Sequence, residues 1–190
     1  GSEMCIRDRA NTKIRTISLV LAGLTLVLVA LGGFVRATNA GLACPDWPLC
    51  FGRVIPSHLQ SGIAQEVGHR FLASLVSLLT IVLGIQAYKR RKESPFIWKV
   101  ILFLFVLLFA QIILGGLTVL LRLNPFIVTA HLALGTIFLQ SVMLVASSPD
   151  KTSDNKKTDS KTKALILFTV FVFIQILLGG FVGSSGAALA

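Results

Sequence analysis

Five apolar runs in the sequence are each long enough to cross a lipid bilayer as a helix. They cover residues 17–35, 67–87, 97–121, 126–146 and 164–182. A membrane-spanning helix needs about 20 predominantly apolar residues, because lipid offers no partner to unpaired backbone polar groups. Only 14% of the residues are charged and 54% are hydrophobic, which is too apolar for a soluble domain of this size. The sequence therefore predicts an all-α membrane protein.

The positions of the cationic residues predict how the helices are oriented. Fourteen of the 18 Lys and Arg residues lie in the N-terminal segment, around the loop between the second and third runs, or in the loop between the fourth and fifth. Cationic loops remain on the cytoplasmic side of a membrane. We therefore expect a cytoplasmic N-terminus, with loops 37–66 and 122–125 outside. The net charge of +10 is then an orientation signal, and the expected partner is the lipid bilayer, with no nucleic acid.

A repeated segment divides the chain into units. Residues 31–43 read LGGFVRATNAGLA and residues 178–190 read LGGFVGSSGAALA, which are identical at eight of 13 positions. Each copy ends an apolar run, so the repeat predicts two parallel copies of a four-helix unit. A weaker echo relates QIILGG at 111–116 to QILLGG at 175–180. The expected architecture is a four-helix transmembrane bundle plus a fifth span that begins a second, repeated bundle.

This architecture gives four expected segments, and the chain ends soon after the second copy begins. They are a disordered leader or artefact at 1–12, a first four-helix transmembrane bundle at 13–147, a polar cytoplasmic linker at 148–163, and the first helix of a truncated second bundle at 164–190.

Two histidines lie inside the predicted spans, where a titratable side chain is costly and needs an explanation. His69 and His131 both fall in the first two turns of a span that begins outside, so they are expected at similar depth. A small residue follows each one turn later, Ala73 and Gly135 respectively. Two imidazoles facing a flat gap are typical of a bis-histidine haem site. The alternative is that each histidine bonds to a neighbouring helix or extends to the interface.

Other outer residues have both a chemical and a structural interpretation. Glu66 precedes His69 by one turn and could accept a proton or stabilise positive charge, or simply be an acid favoured at a helix N-terminus. Cys44 and Cys50 could form a disulfide with a structural or a redox role. Arg36 and Arg70 could pair with haem propionates, or contact lipid headgroups or water. Zinc is the weaker metal, since the spans offer no further ligands for a tetrahedral site.

These residues together resemble the haem A synthases, membrane enzymes that mature haem for terminal cytochrome oxidases. The motifs that carry the resemblance are GGFVRATNAGLACPDWPLCFG at 32–52, EVGHR at 66–70 and TAHLA at 129–133. The resemblance extends over nearly everything from about Lys13 onward. It implies an eight-helix protein of two similar four-helix bundles, each with a histidine pair around a haem. It also implies a bacterial cytoplasmic (inner) membrane location.

The resemblance further implies an activity, namely oxidation of the C8 methyl group of haem O to the formyl group of haem A. His69 and His131 would ligate haem O as substrate, and Glu66 would take part in the oxidation. Cys44 and Cys50 would engage the substrate or pass electrons. A resident haem b belongs to the second bundle, so this chain alone is expected to bind haem without turnover. Haem O synthase and an electron acceptor in the membrane are the implied partners.

Two other functions compete with this interpretation. A bis-histidine membrane cytochrome would transfer electrons without modifying its haem, and the histidine pair alone does not distinguish it from an enzyme. Glu66 and the cysteine loop favour the enzyme, because an electron carrier requires neither. A transporter built from parallel repeats would show helices broken near mid-span, whereas none of the five spans has a proline near its centre.

Overall fold

The protein is all-α. A computed structural model describes the backbone of residues 2–148 and 160–185, with side chains described at 12–60, 62–148 and 166–185. The helices are α1 (Ser2–Ala37), α2 (Ser61–Lys89), α3 (Pro95–Leu120), α4 (Pro125–Ser147) and α5 (Ser160–Ser185). Each contains a segment long and apolar enough to cross a membrane, which confirms the predicted five-span membrane fold.

Short connections with strong helix-start signals make α2 and α3, and then α3 and α4, antiparallel neighbours. Both α3 and α4 begin with proline, which suits the first helical turn because its missing N–H would be unpaired there. The Asn124 side chain caps α4 by accepting a hydrogen bond from the Phe126 N–H at 3.0 Å. Arg122 and Leu123 adopt left-handed backbone angles, which closes the turn between α3 and α4.

The first four helices form a ring. α1 packs against α2 and α4, and α3 packs against the same two helices, so α2 and α4 occupy opposite corners. The main apolar core includes Leu21, Leu83, Ile101 and Val142, all fully buried. These residues lie in the half of the bundle remote from the starts of α2 and α4. The other half, where both histidines lie, therefore depends less on apolar packing.

The fifth helix packs against α4. The Phe126 and Phe181 rings lie 5.4 Å apart, and Leu132 of α4 packs against Gly180, where a side chain would meet its Cδ2 atom. The start of the second predicted unit is thus in contact with the first.

The predicted segment boundaries stay predictions. The backbone of α1 is helical from Ser2, so it continues through residues 2–12, where the sequence predicts a disordered leader. Most of the predicted linker, residues 149–159, lies outside the described residues, and α5 already begins at Ser160. The last five residues of the repeat, 186–190, also lie outside the description.

Candidate functional site

His69 lies in the third turn of α2 and packs its ring against α1. A Cβ atom added to Gly32 of α1 would lie 3.1 Å from His69 Cε1, closer than almost any real Cβ contact. Glycine therefore lets the imidazole approach the α1 backbone. The GG pair that opens the repeated segment thus has a specific use in its first copy.

His131 has a matching environment on the opposite corner of the ring. A Cβ on Gly115 of α3 would lie 3.4 Å from His131 Cε1. One turn earlier on α3, Gln111 Nε2 donates a hydrogen bond of 2.8 Å to the His131 carbonyl oxygen. This contact fixes the α4 backbone at the histidine itself. Gln111 had no predicted role, and the only signal for it was the QIILGG echo of the repeat.

The two histidines form a pair with free coordination capacity. Both Nδ1 atoms are buried, and neither has a hydrogen-bond partner among the described residues. An unpaired buried polar atom costs about 1–3 kcal/mol, so such a pair argues for a ligand.

The donor set suits haem iron better than a bare metal ion. Within the described ranges, no group of three or more His, Cys, Asp or Glu residues could hold a metal ion. Two imidazoles are the axial ligands that a porphyrin-bound iron lacks. The glycines beside each ring, Gly32 and Gly115, let the two imidazoles lie directly against the neighbouring helices α1 and α3. The residues present therefore fit a haem.

Glu66 connects α2 to the cysteine loop, the part of the α1–α2 connection that contains Cys44 and Cys50, and sequence reasoning missed this contact. Its carboxylate is only 5% exposed. Oε2 accepts a 2.9 Å hydrogen bond from the Cys44 backbone N–H, and Oε1 forms a 2.6 Å ion pair with Arg70 Nη2. Glu66 therefore lies one turn before His69 and directly against the cysteine loop.

Arg70 faces the same loop. Besides Glu66, its guanidinium donates to the backbone carbonyl oxygens of Asp46, at 3.0 Å, Pro48 and Leu49. These bonds satisfy carbonyl groups that have no place in a helix or sheet. The structure thus places Arg70 as a brace of the loop, and its predicted contact with a haem propionate stays a prediction.

A disulfide joins Cys44 and Cys50, as the spacing allowed. Both cysteines are buried, and the loop between them is closed by Asp46, whose carboxylate accepts 2.7 Å hydrogen bonds from the N–H groups of Phe51 and Gly52. The Gly52 bond lowers the pKa of Asp46 most. Burial raises the pKa and is the next largest effect, while the Phe51 bond and the nearby charge of Arg70 are smaller effects that lower it.

Arg36 lies one turn beyond Gly32, on the same face of α1. Its Nη2 donates a 3.1 Å hydrogen bond to the Ser184 carbonyl oxygen at the end of α5, and Nη1 contacts Asn39 Oδ1 at 3.5 Å. The Nε atom is buried with no partner among the residues described. Arg36 therefore connects the end of α1 to α5 and retains one donor for a further acceptor.

Comparisons with known proteins identify a family. The family described as "Cytochrome oxidase assembly protein" matches residues 15–66 and 60–190. A protein named "Heme A synthase" from Shewanella oneidensis is 33% identical over 187 residues, covering 87% of this chain and 56% of the relative. Another of that name from Exiguobacterium sibiricum is 27% identical over 188 residues, covering 95% of this chain and 62% of the relative.

A third protein named "Heme A synthase", from Geobacillus thermodenitrificans, is 35% identical over 106 residues, which is 55% of this chain and 33% of that protein. The chain spans about half the length of the curated relatives it matches. No solved structure matches the chain.

Proposed function

The chain belongs to the cytochrome oxidase assembly protein family, and from that premise we propose that it is the haem O-binding half of a haem A synthase. The reaction proposed for the whole enzyme oxidises the C8 methyl group of haem O to a formyl group: water would supply the formyl oxygen, the electrons would pass to an acceptor in the membrane, and the protons would be released. The substrate would lie inside the ring of α1–α4, in the half that contains both histidines.

The observation that carries this proposal is the pair of buried, unpartnered Nδ1 atoms on His69 and His131. They belong to helices at opposite corners of the ring, so a planar ligand between them would be held from both faces. Each ring is supported on its outer side by a glycine of an adjacent helix, Gly32 or Gly115. The two histidines would be the axial ligands of the haem O iron.

Charged groups at the outer end would orient the haem in the site. The unpaired Nε atom of Arg36 is a donor for a propionate carboxylate, since guanidinium and carboxylate form strong charge-assisted hydrogen bonds. Arg70 is already bonded to Glu66 and to the loop, so a propionate would have to share it with these partners. We therefore assign the stronger propionate contact to Arg36.

Glu66 would act on the substrate rather than on the iron. Removing electrons from a methyl group leaves positive charge and releases protons, and a carboxylate close by stabilises the charge and accepts a proton. Glu66 precedes His69 by one turn and is hydrogen-bonded to the Cys44 N–H. The Cys44–Cys50 disulfide is adjacent to that carboxylate, which supports a role for the cysteines in passing electrons or engaging the substrate.

The surroundings of the enzyme follow from the same proposal. The protein is a multi-pass membrane protein. We place it in a bacterial cytoplasmic membrane with its N-terminus inside and the Cys44–Cys50 loop outside, because the cationic loops alternate with nearly neutral ones. Haem O synthase would supply the substrate and a membrane electron acceptor would remove the electrons. A resident haem b would belong to the second four-helix unit.

A haem O titration tests the binding site. The detergent-purified chain should give a Soret band with the features of low-spin iron, and His69→Ala or His131→Ala should each abolish the low-spin form. His58 is exposed in the outer loop, so His58→Ala is the matched control and should behave as wild type. A wild type without a Soret band, or histidine variants with unaltered low-spin spectra, would overturn the proposal.

Glu66 distinguishes the enzyme from a membrane cytochrome that only transfers electrons. In a protein that carries both four-helix units, Glu66→Gln should retain the low-spin haem but form little haem A, measured by chromatography of extracted haem. The cytochrome alternative gains support if no haem A forms in the wild type either.

A further inference from the structure

Trp47, at the centre of the cysteine loop, packs against α3. A Cβ atom on Gly116 would lie 3.1 Å from Trp47 Cδ2 and Cε3 and 3.3 Å from Cε2. Three atoms of the fused indole edge therefore rest on the α3 backbone at a position that only glycine leaves open. Gly116 is buried, while Trp47 retains an exposed fraction of 37%.

The remaining contacts of the loop lie on other elements of the bundle. Glu66 and Arg70 hold it on α2 through the Cys44 N–H and three carbonyl oxygens. Gly41, just before the first cysteine, packs closely on Leu123 in the turn between α3 and α4. The loop thus crosses the outer end of the ring from α2 to α3.

Each end of this crossing lies next to a histidine. Glu66 and Arg70 flank His69 on α2, and Gly116 directly follows Gly115, the glycine beside the His131 ring. The loop is consequently fixed at the two places from which the histidine pair is positioned. Trp47 is its attachment to α3, and it is an apolar contact that no charged group replaces.

The geometry points to Trp47 as a positioning residue that holds the cysteine loop over the outer end of the haem site and thereby slows haem dissociation. This inference rests on the proposed haem site at His69 and His131. Without the Trp47–Gly116 contact, the loop would stay joined to α2 and, at Gly41, to Leu123, but its central part would no longer be held on α3. The haem would then be exposed at its outer edge while both iron ligands stayed in place.

The competing explanation for Trp47 is membrane anchoring. Tryptophan is enriched at membrane–water interfaces, where its ring lies among the lipid headgroups. That role needs an exposed indole but no contact with a glycine of α3. The close approach to Gly116 therefore separates the two explanations, because a change at Gly116 leaves the indole available to lipid.

Haem dissociation rates test the inference. The chain is loaded with haem O in detergent, and transfer of the haem to excess apomyoglobin is followed by absorbance. Trp47→Ala and Gly116→Ala should each raise the dissociation rate by about tenfold, with low-spin spectra retained before transfer, because lost contacts appear mainly in dissociation rates. Trp47→Phe should restore part of the slow rate.

Two further variants make the result specific. The double variant Trp47→Ala with Gly116→Ala should dissociate no faster than Trp47→Ala alone, because both changes break one contact. Trp98 lies on α3 at the opposite end of the bundle, packed edge-on against Tyr88, so Trp98→Phe is the matched control and should retain the wild-type rate. Gly116→Ala replaces glycine by a better helix former, so it tests the contact even if Trp47→Ala folds poorly.

Failure of this inference is distinguishable from failure of the proposed function. If the wild type binds haem and loses it on His69→Ala, but Trp47→Ala and Gly116→Ala dissociate at the wild-type rate, Trp47 does not retain haem. The measurement is repeated in lipid vesicles. If the haem dissociation rate there changes for Trp47→Ala but not for Gly116→Ala, Trp47 is a membrane anchor instead. A wild type that binds no haem overturns both proposals.

Discussion

Replacing Gly32 by alanine changes the haem site by a single methyl group. That methyl would lie 3.1 Å from His69 Cε1, so the imidazole would have to move by a few tenths of an ångström from its position. Overpacking of this kind costs about 1–3 kcal/mol. If the cost falls on the haem-bound geometry, the affinity for haem drops roughly 5- to 150-fold, since each 1.4 kcal/mol is about a factor of ten.

Helix stability should move in the opposite direction. With no iron to hold His69, its imidazole can move away from the added methyl group, and alanine is favoured over glycine in a helix interior by about 0.5–1 kcal/mol. The haem-free Gly32→Ala variant should therefore be no less resistant to thermal unfolding than wild type. Gly33→Ala is the matched control, because a Cβ there meets nothing within 4 Å. Weaker haem binding combined with undiminished thermal stability would therefore identify the His69 contact as the cause.

The assay is a haem O titration of both variants with thermal unfolding of the haem-free proteins. The reasoning is refuted if Gly32→Ala and Gly33→Ala bind haem with equal affinity. This includes the case in which both variants bind haem more weakly than wild type by the same factor, because a methyl group at Gly33 meets no neighbouring atom and gives no steric cause for weaker binding.

Three further predictions concern groups around the site. Gln111→Leu removes the hydrogen bond to the His131 carbonyl oxygen, at a cost of about 1 kcal/mol. This variant should bind haem roughly fivefold more weakly in the same titration. An unchanged affinity for haem would show that the bond does not position His131. Glu66→Gln should also loosen the cysteine loop, measured as faster reduction of the disulfide by dithiothreitol, and an unaltered rate would contradict its bracing role. The pKa of Asp46 lies below its ordinary value of 3.8, so its bonds stabilise the loop above pH 3.8 and are lost as pH falls through the lowered value. This change can be measured by Trp47 fluorescence in a Trp98→Phe background, where Trp47 is the remaining tryptophan. The fluorescence should change only below about pH 3.8, and this change should be absent when Asp46→Asn is added to the same background.

The fold was largely predictable because membrane spans depend on local composition. Apolar length located all five helices, and proline at the starts of α3 and α4 agrees with the predicted boundaries. Helix α1 begins at Ser2 and so includes the segment expected to be a disordered leader or artefact, and that expectation stays a prediction. Local polarity does not report whether a helix extends beyond the membrane.

The site was predictable in its residues but not in its contacts. Spacing along one helix placed Glu66 beside His69, yet its bond to the Cys44 N–H joins elements 22 positions apart in sequence. The contact of Trp47 with Gly116 spans a larger separation and depends on how the loop crosses the ring. Such contacts depend on tertiary packing, which the periodicity and spacing of residues in the sequence do not predict.

The central claim is that His69 and His131 bind one haem iron from opposite sides. Its most direct test is chemical rescue, in which His69→Gly and His131→Gly are loaded with haem O and free imidazole is added. Each variant should lack the low-spin spectrum alone and regain it with imidazole, because the added ligand fills the place of the missing side chain. Low-spin iron in either variant before imidazole is added, or no response to imidazole in both, would contradict the claim.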